Sequence, residues 1–520
     1  MDASVGSGTS ERTDVVEYGW RRAIVTLAVI TAAMIEIIDT TVVNVALPTI
    51  QGNLGADIAQ AAWIITGYII ANVVVIPLTP WLQTRFGRRN YFVSSIVVFT
   101  LASLLCGIAS SLPALVAFRI LQGLAGGGLI ATAQTILQDT YPRSQTGLAT
   151  GIFAMGVIVG PAVGPVLGGF LTDNFSWRWA FFINLPVGTL SAVLAALILR
   201  DPERPRYVPL DVPGLALLIL GLGSLQYVLD QGQTNDWFSD TSITAFSCLS
   251  AIGLIGFVLW ELFGTRTPIV NLRVLRYPPV AIGSVLSAAL GFSLLGGIVL
   301  VPQYVQTILG FTATLSGMLF LVQAGTSGAL TFISVGILAS GKIQPRYQVT
   351  AGFVLLALGN WMLVHVETPQ TDFHALILPL VVLGVGMSQL FVPMTVASVG
   401  AVPLAIVPEA SAFTNLARQL GGSVSTALLV TLAQRGSTSQ YANLASGITL
   451  DRPGVESYVQ AHGGAVTNTL SAELFSMVQT QAAVLGYAEA ALITAVVSLV
   501  LAPLALLMGR ARGGENAAPH

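Results

Sequence analysis

The sequence predicts an all-α integral membrane protein of fourteen spans, arranged as two six-helix bundles plus two additional transmembrane helices. Three observations carry this. The chain is 54% hydrophobic and only 9% charged, with a mean hydropathy of +0.78, whereas soluble domains carry about 25% charged residues. Apolar windows of about 19 residues, enough to cross a bilayer, recur fourteen times. The basic residues also fall on alternate connections, as that count of spans requires.

The expected spans are 23–47, 60–82, 91–109, 112–138, 145–172, 180–199, 211–229, 241–262, 279–307, 314–338, 348–365, 373–400, 408–434 and 487–509. An even number puts both ends on one face. Counting from a cytoplasmic N-terminal tail (1–22), inner segments hold seventeen of the 22 basic residues, and outer segments hold only Arg178, Arg435 and Arg452. Arg119 and Arg418 remain inside helices. Both termini are therefore expected in the cytoplasm. A polar start and the lack of a small-residue cleavage site argue against a removable signal peptide. The N-terminal bundle is expected over 23–199, an inserted helix pair over 200–262, the C-terminal bundle over 279–509 and a cytoplasmic tail over 510–520. One connection is long, the outer loop 435–486. Its stretch from Glu456 to Leu485 is polar with scattered apolar residues, the pattern of a helix lying on the membrane surface.

A weak repeat joins the halves. The second span runs into P-W-L-Q-T-R-F-G-R-R (80–89) and the tenth into G-I-L-A-S-G-K (336–342). Arg119-x-x-Gln122-Gly123 in the fourth span is echoed by Arg418-Gln419-Leu420-Gly421-Gly422 in the thirteenth. Repeated halves with a substrate site at their interface are a transporter feature.

The first span carries two acids, Glu36 and Asp39, within I-E-I-I-D-T-T-V-V-N-V-A-L-P (35–48). On a helical wheel they share a face with Thr40 and Asn44, opposite Ile35, Ile38, Val42 and Val45. An acid at bilayer depth costs roughly 2.5–3.5 kcal/mol, so it normally faces a cavity or a partner. The stripe is expected to be a proton site on a central pathway; acids that only bond neighbouring helices are the alternative. Arg119 in the fourth span faces the same energetic problem, and one partner solves both. It is expected to tune the acids, or else to form a static ion pair or cap a backbone carbonyl. Gln122 lies one turn along the same face, and Gly123 allows close approach.

In the fifth span Gly156, Gly160, Gly164 and Gly168 recur every fourth residue and form one smooth face. Pro161 and Pro165 each remove a backbone donor. The series is expected to be a dry, bendable seal between two rocking halves, or simple packing on a neighbour. The loop Arg85-Phe86-Gly87-Arg88-Arg89 is expected to be a cytoplasmic gate latch or a topology anchor. Asn44, Asn72, Gln122, Gln303, Gln306 and Arg418 are candidate cavity residues.

Near-balanced charge, 22 basic against 24 acidic residues, gives no sign of nucleic-acid binding. Two cysteines make no disulfide framework, four scattered histidines make no metal site, and no nucleophile–base set points to an enzyme.

Four stretches carry a family resemblance: D-T-T-V-V-N-V-A-L-P (39–48), R-I-L-Q-G (119–123), the glycine series ending in Gly168-Gly169, and V-P-Q-Y-V-Q-T-I-L-G-F-T-A-T (301–314). Here the chain resembles the fourteen-helix drug:proton antiporter branch of the major facilitator superfamily, and within it the EmrB-type multidrug exporters. The resemblance implies two six-helix bundles around a central cavity, with the seventh and eighth helices outside them. It implies a proton-coupled exporter of hydrophobic or cationic compounds in a bacterial inner membrane, with protons as coupling ion and no other cofactor. By match, Asp39 takes the family's first-helix acid role and Arg119 its fourth-helix arginine role. Gly160-Pro161, Gly164 and Gly168-Gly169 match its antiporter motif. A periplasmic EmrA-type adaptor and an outer-membrane channel are implied partners. Two departures matter. Pro80 and Thr84 stand where the family's loop often has Gly and Asp. Glu36 stands where close relatives can have an uncharged polar residue, which implies a second acid or a preference for cations. Export of an endogenous lipid, fatty acid or siderophore-like metabolite is the rival reading within transport; a receptor or sensor without turnover is the rival outside it.

Overall fold

The computed structural model describes residues 16–508 except 57, 143–144, 202–204, 266, 400–401, 404–405, 449–451 and 463–466. Most of the expected N-terminal tail and all of the 510–520 tail lie outside the described residues, as does the side chain of Pro161. The N-terminal bundle comprises α1 (Gly19–Leu54), α2 (Ile58–Phe86), α3 (Arg88–Ile108), α4 (Leu112–Gly126), α5 (Leu129–Thr140), α6 (Thr146–Asn174), α7 (Trp179–Phe182) and α8 (Asn184–Ile198). The inserted pair is α9 (Val212–Gln231) and α10 (Thr241–Leu259). The C-terminal bundle comprises α11 (Pro278–Thr307), α12 (Ala313–Ala339), α13 (Pro345–Val366), α14 (Phe373–Ser388), α15 (Phe391–Ser398), α16 (Val407–Ser446), α17 (Pro453–Ala461) and α18 (Asn468–Leu501). We call the end of the bundles where α1 begins the near face and the opposite end the far face.

Among the described residues, twelve segments are long and apolar enough to cross a membrane; α4–α5, α7–α8 and α14–α15 each count as one. The expected fourteen are not reproduced by that measure. The other two expected spans, 145–172 and 408–434, fall on α6 and α16, helices of 29 and 40 residues that pack among the twelve. The middle of α16 is diluted by Thr414, Asn415, Arg418 and Gln419.

Helix contacts follow the small residues. A Cβ on Gly156, Gly160, Gly164 or Gly168 of α6 would meet Ile30, Ile37, Thr41 or Val42 of α1, at 3.0, 2.8, 1.8 and 3.0 Å. The glycine series is thus a seat for α1 inside one bundle, not a seal between the halves. Spacing shows that a face is smooth, not which helix lies on it. The contact between bundles uses other positions of α6: Gly151 meets Val335 of α12, and Val166 sits over Gly317 of α12. Pro165 lies within the continuous helix α6.

The second half repeats this arrangement. A Cβ on Gly291 of α11 would stand 1.9 Å from the Arg418 carbonyl, and one on Gly421 would stand 2.1 Å from the Ala288 carbonyl. So α16 lies on α11 as α6 lies on α1. The Arg418–Gly422 stretch therefore corresponds in place to the fifth membrane helix of the first half, and the sequence echo with Arg119 of the fourth is not a structural equivalence.

The expected surface-lying helix in 435–486 is also corrected. α16 continues to Ser446, α18 begins already at Asn468, and among the described residues between them only the short α17 is helical. The two long helices pack on each other beyond the predicted spans, with Tyr441 and Phe475 edge to face at 5.5 Å. Of the apolar residues in that stretch, Val459, Leu470, Val478 and Val484 are buried, while Phe475 and Met477 stay exposed.

Candidate functional site

α1 places Glu36 and Asp39 one turn apart, and their environments differ. Asp39 is fully buried. One carboxylate oxygen takes the Arg119 guanidinium at 2.5 Å; the other accepts from Gln122 Nε2 at 2.9 Å and Asn184 Nδ2 at 2.7 Å. Arg119 also donates to Gln122 Oε1 (2.8 Å) and to the Ile64 carbonyl (3.1 Å), and lies over the Tyr68 ring at 4.1 Å. Asn184 donates to Ser103 Oγ at 2.9 Å, and Ser103 donates to the Phe181 carbonyl at 2.9 Å. Four bundle helices therefore converge on one ion pair. Gly123 makes this possible, because a Cβ there would stand 2.3 Å from the Tyr68 carbonyl of α2.

The expected pathway face is corrected accordingly. At 100° per residue, Glu36, Asp39, Thr40 and Asn44 spread over an arc of about 140°. That arc is too wide for one environment: Asp39 at one edge turns into the bundle, and Asn44 at the other is exposed. Gln122, expected on the cavity wall, is sealed beside Asp39 with no exposure.

Glu36 faces the other way. Asn72 Nδ2 of α2 donates to its Oε1 at 2.8 Å, while Oε2 has no hydrogen-bond partner among the described residues. Arg418 of α16, in the opposite bundle, lies within electrostatic reach of Glu36. The Arg418 guanidinium bonds Asn415 Oδ1 and rests over the Phe391 ring at 5.1 Å. Next to it the bundles are stitched by Gln134 of α5, whose Oε1 accepts from Ser411 Oγ (3.2 Å) and Asn415 Nδ2 (3.1 Å). Glu36 thus bonds Asn72 within its own bundle and interacts electrostatically with Arg418 of the other. Gln303, Gln306 and Asn44 are exposed and take no part in this cluster.

The gate-loop arginines serve their own bundle. Arg88 pairs with Asp139 at 2.7 Å. The backbone N–H of Arg89 donates to Asp201 at 2.7 Å, its guanidinium bonds the Ala196 carbonyl at 2.5 Å, and Arg85 lies over Tyr207 at 4.4 Å. Gly87 turns with φ +85°, and Asp201, from the connection after α8, sits against it. An acid from elsewhere in the chain thus lies where Thr84 had removed the loop's own. None of these contacts crosses to the C-terminal bundle.

Asn184, Ser103, Gln134 and Phe391 were not identified from sequence. A polar residue such as Asn184 inside F-F-I-N-L-P is the one available signal, and it names no partner.

Two helical bundles meeting along a polar interface, one built around a buried ion pair, define a membrane carrier. The chain belongs to the Major Facilitator Superfamily, which it matches over residues 29–426. It is a multi-pass membrane transporter, not an enzyme. It is 34% identical over 453 residues to the multidrug export protein EmrB of Escherichia coli (strain K12), covering 86% of this chain and 88% of that one. It is 37% identical over 435 residues to the fatty acid resistance protein FarB of Neisseria gonorrhoeae, covering 82% and 83%. Among solved structures it superposes on the human organic anion transporter MFSD10 (TM-score 0.58, 12% identity, 92% of this chain and 100% of that one). A bacterial homologue of the lysosomal transporter Spinster, inward-facing and unoccupied, gives a TM-score of 0.55 at 17% identity, covering 94% and 98%. These structures share the fold, and the EmrB-type exporters are the chain's sequence relatives.

Proposed function

We propose that the protein is a proton-coupled antiporter that exports hydrophobic or cationic compounds by alternating access across a bacterial inner membrane, with both termini cytoplasmic. The observation that carries it is Glu36: an acid at the bundle interface with one oxygen unpartnered and a counter-charge, Arg418, in the other bundle. The sequence assigned the exchanging proton to the stripe of Asp39 and Glu36, with Asp39 in the family's acid role; with Asp39 sealed against Arg119, Glu36 is the better candidate, and Asp39–Arg119 is the fixed pair that holds α1 to α4.

The sign of coupling follows from charge. A cation binding near Glu36 needs the ionised carboxylate, so cation and proton exclude each other, as antiport requires. The ionised, empty carrier has Glu36 drawn toward Arg418, which ties the bundles together. Either a proton or a cation cancels that attraction, so the loaded forms are the ones free to rock. Each ligand acts only through its differential affinity for the two states. An adaptor and an outer-membrane channel, as the EmrB resemblance implies, complete the route.

Arg418 and the 37% identity to FarB support a second reading, export of a fatty-acid-like anion. There the cargo pairs with Arg418 on the way out and a proton neutralises Glu36 on the return half-cycle, so proton entry still drives export.

Proteoliposomes with an imposed pH gradient decide between them. Wild type should accumulate a cationic dye in the vesicle lumen when the lumen is the acid compartment, because protons leaving it drive the dye in. Glu36→Gln, which keeps an oxygen for Asn72 but has no charge to hold the cation or proton to release, should stay folded and lose gradient-driven accumulation. If Glu36→Gln accumulates dye like wild type, the proposal fails; if an anion and not the cationic dye is driven toward the acid side, the second reading replaces it.

A further inference from the structure

The inserted pair α9–α10 has no part in the site above, yet the turn joining its helices touches both bundles at the far face. On one side it holds α2. Thr66 donates to the Asp230 carboxylate, and Gln231 Nε2 donates to Thr66 Oγ1 at 2.9 Å. On the other side it holds α16. Gln233 Nε2 donates to Gln434 Oε1 at 2.6 Å, and Trp237 Nε1 is shared between Gln233 Oε1 (3.0 Å) and Thr431 Oγ1 (3.1 Å). Within eight residues the turn spans the seam between the bundles.

Its backbone is unusual as well. Asp236 and Trp237 lie at φ +50° and +53°, the only non-glycine residues with positive φ among those described. For a bulky residue such as Trp this is a strained conformation that persists only where the surroundings over-determine it. The surroundings here are specific. The Trp237 N–H bonds the Gly232 carbonyl at 2.7 Å, and its ring lies so close to Gly232 that a Cβ there would stand 2.8 Å from it. The hydrogen bond to Thr431 comes from the opposite bundle. Part of what holds the strain is therefore lost when α16 moves away.

We propose that the α9–α10 turn is a releasable tether that holds α2 and α16 together at the far face, with Gln233 and Trp237 as its positioning residues. It deepens the alternating-access reading and rests on it. With the far end of the seam closed, the turn is engaged and strained. When the seam opens, the bonds to Thr431 and Gln434 break, and relief of the strain offsets part of their loss. The inserted helices thereby set how readily the far face opens.

Two experiments test it, both with Cys248 replaced by Ser; Cys106 is buried. In the first, spin labels on Thr49→Cys and Thr307→Cys, exposed positions at the far ends of α1 and α11, report bundle separation without any transport. Trp237→Phe keeps a ring beside Gly232 but loses the bond to Thr431, and Thr431→Val loses its acceptor. Both should shift the distance distribution to longer values, and an unchanged distribution overturns the proposal. In the second, Gln233→Cys/Gln434→Cys is bridged with a short, reducible bifunctional thiol reagent. Bridging should arrest gradient-driven transport and reduction should restore it; full transport while bridged overturns the proposal. If the unbridged parent shows no gradient-driven transport, the antiport reading has failed, and the distance measurement still judges the tether.

Discussion

Asp39 and Arg119 meet with no exposure to solvent, so each is the other's main compensation for leaving water. Removing one partner of such a pair typically costs about 3–5 kcal/mol, because the survivor stays buried and charged. Asp39→Asn and Arg119→Gln should each lower the yield and melting temperature of purified protein. The double variant should recover part of the loss, and it should still couple dye export to protons if Glu36 carries the exchanged proton. Loss of coupling in a well-folded double variant would return that role to Asp39. A second acid sits just past the far end of α13. Glu367 is 9% exposed and its Oε2 has no hydrogen-bond partner among the described residues. Burial pushes its carboxyl up from 4.5 to about 8. The folded form therefore keeps a proton that the unfolded chain has released, and stability falls as pH rises from about 4.5 to 8, by at most roughly 1.4 kcal/mol per pH unit. Glu367→Gln should flatten that slope in detergent melts and raise the melting temperature at pH 8. A slope equal to wild type would show the acid to be solvated.

The glycines of α6 divide by neighbour, and their substitutions should divide by phenotype. A Cβ at Gly164 would overlap Thr41 Oγ1, within one bundle. Gly164→Ala should therefore push α1 off its seat and cost about 1–3 kcal/mol as overpacking, read as reduced folded protein. A Cβ at Gly151 would stand 2.8 Å from Val335 Cγ2, across the bundles. Gly151→Ala should leave folding nearly intact but slow transport, and Val335→Ala should restore the rate. Equal effects on yield would mean that the two contacts are not distinct. The same helix shows what can be read without coordinates. Charges in apolar runs announce themselves, so Glu36, Asp39 and Arg119 stand out, and the fourfold glycine spacing shows a smooth face. Which helix occupies that face, and that Asp39 turns inward while Glu36 turns to the interface, depend on the rotation of α1. Small residues far apart in the chain set that rotation. Neutral partners such as Asn184 and Gln134 carry no charge to betray them, and many such residues in membrane helices bond only their own backbone, as Asn360 does to the Leu356 carbonyl at 2.8 Å.

At the scale of the whole molecule, α16 and α18 have 40 and 34 residues, about 60 and 51 Å of helix at 1.5 Å per residue, against a hydrocarbon core of about 30 Å. The excess lies at the far face as a paired hairpin closed by α17. It is held by Tyr441 on Phe475 and by Gly436 and Gly486, where a Cβ on Gly486 would stand 2.2 Å from the Ala433 carbonyl. A rigid projection of this kind is not needed to enclose a cavity between bundles. It would suit docking of the proposed adaptor, since a helical pair keeps its shape without bilayer support. Replacing the hairpin beyond Gly436 and Gly486 with a short glycine-serine turn should then leave the melting temperature within a few degrees of wild type and preserve dye flux in proteoliposomes, while abolishing resistance in cells that depend on an adaptor. Loss of flux in proteoliposomes by a well-folded shortened protein would instead make the hairpin part of the carrier's own cycle, and the adaptor would have to dock elsewhere.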